Sequence, residues 1–345
     1  METVDEKFMQ RALDLALLGE GFARPNPMVG CVVVHDGMIT GEGWHQQYGG
    51  PHAEVNAINS VQDKSLLRQS RVYVTLEPCS HYGKTPPCAD LLIKHGVQDV
   101  VICNTDPNPL VAGKGIQKLK DAGCTVTTGL LESKGLEVNK RFFKFQTQKR
   151  PYLVLKWAES SDGFIALPDY QACQISGALS QKLVHKWRTQ EQAILVGTRT
   201  ALHDNPTLNA RHWHGPSPLR ITIDKHLQLP ATHHLLDNSH PTWVYTFAQK
   251  PSLSQTHFVT VSPELDVLDQ MMQDLYQRQV QSVLVEGGTT LLDSFIQKGL
   301  WDEIRVFKSP KRLQSGIKGP QLPNLVATYK EKIGEDTLTI YRNQF

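Results

Sequence analysis

Six cysteines scattered through 345 residues are too few to staple a fold with disulfides, so its stability must come from hydrophobic cores. Charge of one sign is also lacking: 36 basic residues nearly cancel 34 acidic ones, for a net +2, and no global field exists to attract nucleic acid or an acidic membrane surface. No uninterrupted apolar run reaches the roughly 18 residues that suggest a membrane span. Internal repeats and low-complexity tracts are missing too, which sets aside solenoids and disordered linkers. Residues 1–17 lack a basic segment followed by a long hydrophobic run. They place acids ahead of apolar positions at helical spacing and read as an amphipathic helix, not a signal peptide. The expectation is a cytoplasmic protein that acts on a small molecule, with no membrane and no nucleic-acid partner.

What is present is enough apolar sequence for more than one core, and the length favours two domains. In the first half, short β-rich runs at 30–34, 72–76 and 99–103 alternate with helical patterns at 6–18, 52–61, 88–95 and 113–122, the pattern of an α/β layer architecture. The periodicity lapses into polar and basic residues over 144–151, ending in Pro151. A boundary is therefore expected near residue 148, giving domains 1–148 and 149–345. A second α/β series follows, with strands expected at 152–156, 193–196, 219–223, 243–247, 282–285 and 337–341. Cys31, Cys103, Cys124 and Cys173 sit singly among apolar or mixed neighbours and read as small buried hydrophobes.

Chemistry concentrates in Pro51-His52-Ala53-Glu54 and in the segment from Glu77-Pro78-Cys79 to Cys88. A catalytic zinc takes three protein ligands and keeps one position open, and His52, Cys79 and Cys88 supply that number with the donor types zinc prefers. Zn²⁺ bound there would activate a water for attack on a ring carbon that carries an amine. Glu54, two residues along a helix that starts at His52, would carry the protons without being a ligand. The pattern matches the zinc deaminase signature H-x-E…P-C-x-x-C, except that eight residues separate Cys79 from Cys88.

That longer loop, Pro78-Cys79-Ser80-His81-Tyr82-Gly83-Lys84-Thr85-Pro86-Pro87-Cys88, with Arg24-Pro25-Asn26-Pro27-Met28-Val29-Gly30 upstream, resembles the deaminase half of the bifunctional riboflavin-biosynthesis deaminase/reductase family. The resemblance implies a cytidine-deaminase-like three-layer α/β/α domain. It further implies hydrolytic removal of the 2-amino group of 2,5-diamino-6-(5-phosphoribosylamino)pyrimidin-4(3H)-one, a pyrimidine ribotide. Asn26 would then hold the pyrimidine, and His81, Lys84 and Thr85 would receive the phosphate, with Lys84 as a point charge. His45 and Asn108, the latter within Asp106-Pro107-Asn108-Pro109, would be further substrate contacts.

In the second half a strand runs into Gly287-Gly288 and then into an apolar helical stretch, an arrangement that lets a diphosphate approach backbone N–H groups and that also fits a plain tight turn. Lys156, Asp162-Gly163, Trp187-Arg188, the run 194–198, Asp204-Asn205-Pro206 and Glu286-Gly287-Gly288 recur in order like the reductase half of the same family. This resemblance implies a dihydrofolate-reductase-like α/β domain that uses NADPH to reduce the ribosyl group to ribityl. Ala158, Gln174, Thr200, Asp204, Gly288, Thr289, Thr290, Leu291, Leu292 and Asp293 would contact NADPH. Ala172, Arg188, Leu208, Arg211, Lys156 and Glu286 would contact the substrate, with an ion pair of purely structural value as the alternative for Lys156 and Glu286. One segment departs from the family: where relatives read Ser-x-Trp-Ile-[Ser/Thr], this chain reads Ala172-Cys173-Gln174-Ile175-Ser176. Loss of the aromatic stack is worth on the order of 1 kcal/mol, so looser NADPH binding is expected. The family resemblance and short loops also imply a homo-oligomer, a dimer or a tetramer.

Two other readings share part of this pattern. An enzyme that deaminates a base within RNA or DNA would need a basic stripe or aromatic platforms, and a net charge of +2 with 8% aromatic residues shows neither. A structural zinc module beside a non-catalytic NADPH-binding domain would leave no exchangeable position on the metal.

Overall fold

The first helix begins at a reciprocal cap. Thr3 Oγ1 accepts the Glu6 N–H at 3.2 Å, and Glu6 Oε2 accepts the Thr3 N–H at 2.7 Å, which satisfies two donors that a helix start leaves open. A computed structural model describes residues 3–82, 86–108, 111–170 and 173–343. The chain divides into two units, Met1–Lys149 and Arg150–Phe345.

The first unit runs α1 (Val4–Leu17), β1 (Gly30–His35), β2 (Met38–Trp44), α2 (Ala53–Ser60), β3 (Arg71–Leu76), α3 (Cys88–Lys94), β4 (Asp99–Asn104), α4 (Lys114–Asp121), β5 (Thr125–Thr128), α5 (Glu132–Val138) and α6 (Lys140–Gln148). Its sheet has the order β2-β1-β3-β4-β5. β1 is antiparallel to β2 and β3, and β3, β4 and β5 run parallel. Successive side chains alternate faces along each strand. Cys31, Val33, Val72, Val74, Val100 and Ile102 pack on Ala57 and Ile58 of α2, Leu92 of α3 and Leu119 of α4. Val32, Val34, Tyr73, Val101 and Cys103 pack on Met9, Ala12 and Leu13 of α1. Both faces are covered, so this is the three-layer α/β/α arrangement, and its central strands read as nearly continuous apolar runs. At Gly43 in β2 an added Cβ would lie 2.3 Å from the backbone nitrogen of Ala57. Only glycine lets α2 lie this close to the sheet, and that approach sets the depth of its first turn.

The second unit contains β6 (Tyr152–Glu159), β7 (Phe164–Ala166), α7 (Ala178–Gln190), β8 (Ala193–Gly197), α8 (Thr198–Asp204), β9 (Leu219–Ile223), β10 (Thr242–Thr246), β11 (Thr256–Thr260), α9 (Val267–Gln277), β12 (Ser282–Val285), α10 (Thr289–Gln297), β13 (Glu303–Lys308), β14 (Ile317–Lys318), β15 (Tyr329–Ile333) and β16 (Asp336–Arg342). Its main sheet has the order β11-β10-β9-β8-β12-β6-β13-β16-β15, beside a small β14-β7 pair. All neighbours from β11 to β13 are parallel, and β16 pairs antiparallel with both β13 and β15. Leu153, Leu155, Val283 and Val285 pack on Met271 of α9 and Phe295 of α10. Tyr152, Val154, Ile194 and Leu284 pack on Val184 and Trp187 of α7. Helices therefore cover both faces of the parallel part. In such sheets ligands sit in the crevice beyond the C-terminal strand ends. Among the described residues no helix is long and apolar enough to cross a membrane.

Candidate functional site

In the first unit the site grows from three chain segments. His52 is the N-cap residue of α2, in extended conformation, and Glu54 lies in the first turn of that helix. Cys79 follows β3, and Cys88 is the first residue of α3. Their donor atoms converge. His52 Nδ1 lies 3.6 Å from Cys79 Sγ and 3.3 Å from Cys88 Sγ, and all three donors fall within 4.8 Å of one another. A tetrahedral zinc with Zn–N about 2.0 Å and Zn–S about 2.3 Å sets nitrogen and sulfur about 3.5 Å apart, so the donor set fits that ion. Among the described residues no fourth His, Cys, Asp or Glu joins the group.

The electrostatics suit a cation. The Cys79 thiol is pulled well below its ordinary range, chiefly through its hydrogen bond with the Cys88 thiol and then through His52. The Cys88 N–H donates to Cys79 Sγ at 3.3 Å. Glu54 is only 3% exposed. Burial, and then the negative charge of Cys79, pushes its carboxyl up to about 7, where a group can both take and give protons near neutral pH.

Beside these three converging donors, His45 stands edge-on to His52, with ring centroids 5.6 Å apart. Its Nδ1 lies 3.0 Å from the Pro51 carbonyl and its Nε2 lies 3.1 Å from Asn26 Nδ2. A carbonyl only accepts, so Nδ1 carries the proton, Nε2 accepts, and the Asn26 amide nitrogen donates. Burial holds His45 below the usual histidine range, in keeping with this neutral tautomer. Asn26 Oδ1 is thereby oriented as an acceptor. His81 is exposed in the loop between the two cysteines, and Asn108 is half-buried in the loop after β4. Lys84, Thr85 and Pro109 lie outside the described residues.

In the second unit a cavity of about 1130 Å³ opens at the C-terminal ends of β6, β8, β9 and β12. It is lined by Lys156, Ala158, Gln174, Thr200, Asp204, Arg188, Arg211, Glu286, Gly288, Thr289, Thr290 and Leu291. Gly288 is the N-cap residue of α10, and its N–H donates to Thr200 Oγ1 at 2.9 Å. Leu208 lines a smaller neighbouring pocket with Arg188 and Arg211. The Leu292 side chain is fully buried in the core, which leaves only its backbone for a ligand, and Asp293 is not among the lining residues. Ala172 lies outside the described residues. Cys173, expected as a buried hydrophobe, is half-buried and lines the cavity, because the loop before α7 leaves it beside open space.

Sequence reasoning passes over several lining residues. Tyr170 stacks on His203, with ring centroids 4.3 Å apart and planes 10° apart, and Arg199 Nη1 donates to Tyr170 Oη at 3.3 Å. Lys225 and His226 stand two and three residues after the end of β9 and line the same cavity. Their one sequence signal is position just beyond the C-terminal end of a parallel strand.

Comparison with known proteins covers both units. Residues 2–104 match the cytidine and deoxycytidylate deaminase zinc-binding region, and residues 151–328 match the RibD C-terminal domain. The chain is 38% identical over 319 residues to the riboflavin biosynthesis protein RibD of Aquifex aeolicus, covering 91% of this chain and 89% of that one. It is 40% identical over 354 residues to RibD of Bacillus amyloliquefaciens, covering 96% and 95%. Among solved structures, the diaminohydroxyphosphoribosylaminopyrimidine deaminase/5-amino-6-(5-phosphoribosylamino)uracil reductase of Thermotoga maritima superposes with a TM-score of 0.90 at 34% identity, over 99% of each chain.

Proposed function

This chain belongs to the RibD family of riboflavin biosynthesis proteins, and from that premise we propose how its two units divide the work of a bifunctional deaminase and reductase. The first unit removes ammonia from the diaminopyrimidine ribotide, and the second reduces the ribosyl group of the deaminated product to ribityl. The observation that carries the reading is the convergence of His52 Nδ1 and the sulfurs of Cys79 and Cys88 within 4.8 Å, beside a buried Glu54.

In the deaminase, His52, Cys79 and Cys88 hold the metal, and bound zinc supplies a water acidic enough to act as nucleophile near neutral pH. Glu54 takes a proton on its carboxylate and returns one to the leaving amine. Asn26, fixed by His45, offers Oδ1 as acceptor to a ring N–H or amine. His81, Lys84, Thr85 and Asn108 complete the contacts to the ribotide, with Lys84 at the phosphate.

In the reductase the cofactor class is a nicotinamide dinucleotide, and we assign NADPH, which supplies the hydride when bound. Ala158, Gln174, Thr200, Asp204 and the stretch 288–293 hold the cofactor. Lys156 and Glu286 orient the sugar hydroxyls, while Arg188 and Arg211, with Ala172 and Leu208, bind the phosphate end. The Arg188 guanidinium and its neighbour Glu286 form a preorganised pair, so the site orders little on binding. The same reading makes the chain a cytoplasmic homo-oligomer, whose subunit number light scattering measures.

Incubation of purified protein with the diaminopyrimidine ribotide, followed by mass spectrometry, tests both steps. Without NADPH the expected product is the deaminated ribotide alone; with NADPH it gains two hydrogens. Unchanged substrate in both incubations overturns the proposal.

A further inference from the structure

We propose that Glu77 is a positioning residue that locks the turn carrying Cys79 to the loop carrying Asn108, so that metal ligand and substrate contact are held in one register. The inference rests on the reading of Cys79 as a zinc ligand.

Glu77 is 4% exposed, two residues before Cys79. Among the described residues its carboxylate meets no cation. Oε2 accepts the Gly113 N–H at 2.9 Å and the Asp106 N–H at 3.3 Å, while Oε1 accepts the Gly115 N–H at 2.9 Å and the Ile116 N–H at 3.3 Å. One side chain thus gathers four backbone donors from the loop after β4 and from the start of α4. The Glu77 N–H in turn donates to the Asn104 carbonyl at 2.9 Å. A negative charge at a helix start is favoured by the helix dipole and by its open N–H groups, which explains how a buried carboxylate is tolerated here.

The contact is close on the ligand side as well. A Cβ added to Gly115 would lie 1.9 Å from the Pro78 carbonyl oxygen, so the start of α4 presses directly on the residue before Cys79. From the other direction, Asp106 Oδ1 accepts the Asn108 N–H at 2.8 Å. The chain of contacts therefore runs from Cys79 through Pro78 and Glu77 to Asp106 and Asn108. Groups that hydrogen-bond a metal ligand typically change metal affinity or activity by about 10–100-fold when removed, and Glu77, which acts on Cys79 through the backbone of Pro78, is expected at the lower end of that range.

Glu77→Gln tests this with little change of volume. All four partners are donors, and an amide accepts through one oxygen only, so its NH₂ group confronts two N–H groups and releases one side of the lock. Zinc release to a chelator is expected to accelerate by about 10-fold, the visible spectrum of the cobalt-substituted enzyme to change, and the KM of the deaminase to rise. Glu77→Asp, which keeps both acceptors, should restore part of each. If Glu77→Gln lowers the melting temperature alone, with zinc release, cobalt spectrum and KM as in the wild type, the inference is overturned and Glu77 is merely structural. Should the variant fail to fold, hydrogen exchange on the wild-type protein decides: zinc loading is expected to slow exchange at the Asp106, Gly113, Gly115 and Ile116 amides, and no change there overturns it. A wild-type protein that binds no zinc defeats the reading of the site itself, and the inference with it.

Discussion

Arg188 grips Glu286 through two parallel hydrogen bonds, Nε to Oε1 at 2.9 Å and Nη2 to Oε2 at 3.0 Å, while Lys156 Nζ reaches Oε2 at 3.4 Å. Burial alone would push the Glu286 carboxyl upward, but Arg188 and then Lys156 outweigh it and hold the group down at about 2. A carboxyl depressed in the folded state stabilises it above the unfolded pKa of about 4.3, and that stability is lost as pH falls toward the folded value. Glu286→Gln leaves two cations in a poorly solvated site and should cost about 3–5 kcal/mol at neutral pH. The gap in melting temperature between wild type and variant is expected to narrow steadily between about pH 4.3 and 2. A gap that stays constant across that range would show that the pair contributes no pH-dependent stability.

Glu54→Gln keeps the side-chain volume and removes the proton carrier. Ammonia release is expected to fall by about 10²–10⁴-fold, with zinc content unchanged because Glu54 is not among the three converging donors. NADPH oxidation on the deaminated ribotide should proceed as in the wild type. Deaminase turnover within a factor of a few of wild type would refute the role given to Glu54.

Loss of a ligand should have the opposite signature. In Cys79→Ser or Cys88→Ser, zinc measured by atomic emission is expected to drop and the melting temperature of the first unit with it, since binding free energy is also folding free energy. Full occupancy in both serine variants would mean that these sulfurs do not hold the metal.

The tautomer deduced for His45 leads to a separate test. Asn26→Asp puts an acceptor opposite Nε2, which also accepts, and the conflict is relieved only if the imidazole gains a proton. The His45 pKa is therefore expected to rise, read by NMR from its ring carbons, and deaminase kcat/KM to fall, because a charged imidazole and carboxylate then face the substrate ring in place of a neutral pair. An unchanged His45 titration would show that the Asn26 contact does not set the tautomer.

Much of this was legible because the deciding features are local. The runs 72–76 and 99–103 are apolar on both faces, as strands covered by two helical layers must be, and His52, Glu54, Cys79 and Cys88 are residue types that few purely structural patterns bring together. β2 escapes notice because Gly41 and Gly43 dilute its strand character; those glycines are there for the approach of α2. β13 is hidden by Glu303 and Arg305, which look like surface charges but are buried and paired with each other at 2.9 Å. Glu77 leaves no local trace either, since its partners Gly113, Gly115 and Ile116 lie 36, 38 and 39 residues away. Features built from distant backbone donors have no spacing to read.

The departure at Gln174 gives the last test. Gln174 Nε2 donates to the Ser176 carbonyl at 3.4 Å, and the Gln174 carbonyl accepts from Lys311 Nζ at 2.7 Å, so this segment is held by polar contacts and offers the cavity no ring. One ring lining that cavity near this segment is Tyr170, stacked on His203 and bonded by Arg199. A ring held on two sides is a rigid platform for a planar cofactor group, worth about 0.5–1.5 kcal/mol beyond its buried area. Tyr170→Ala is expected to raise the KM for NADPH by about 3–10-fold with kcat little changed, and Gln174→Trp to lower it, because the first removes and the second adds a stacking surface. Steady-state rates of NADPH oxidation measure both variants, and a KM unmoved by Tyr170→Ala would rule that ring out as a cofactor contact.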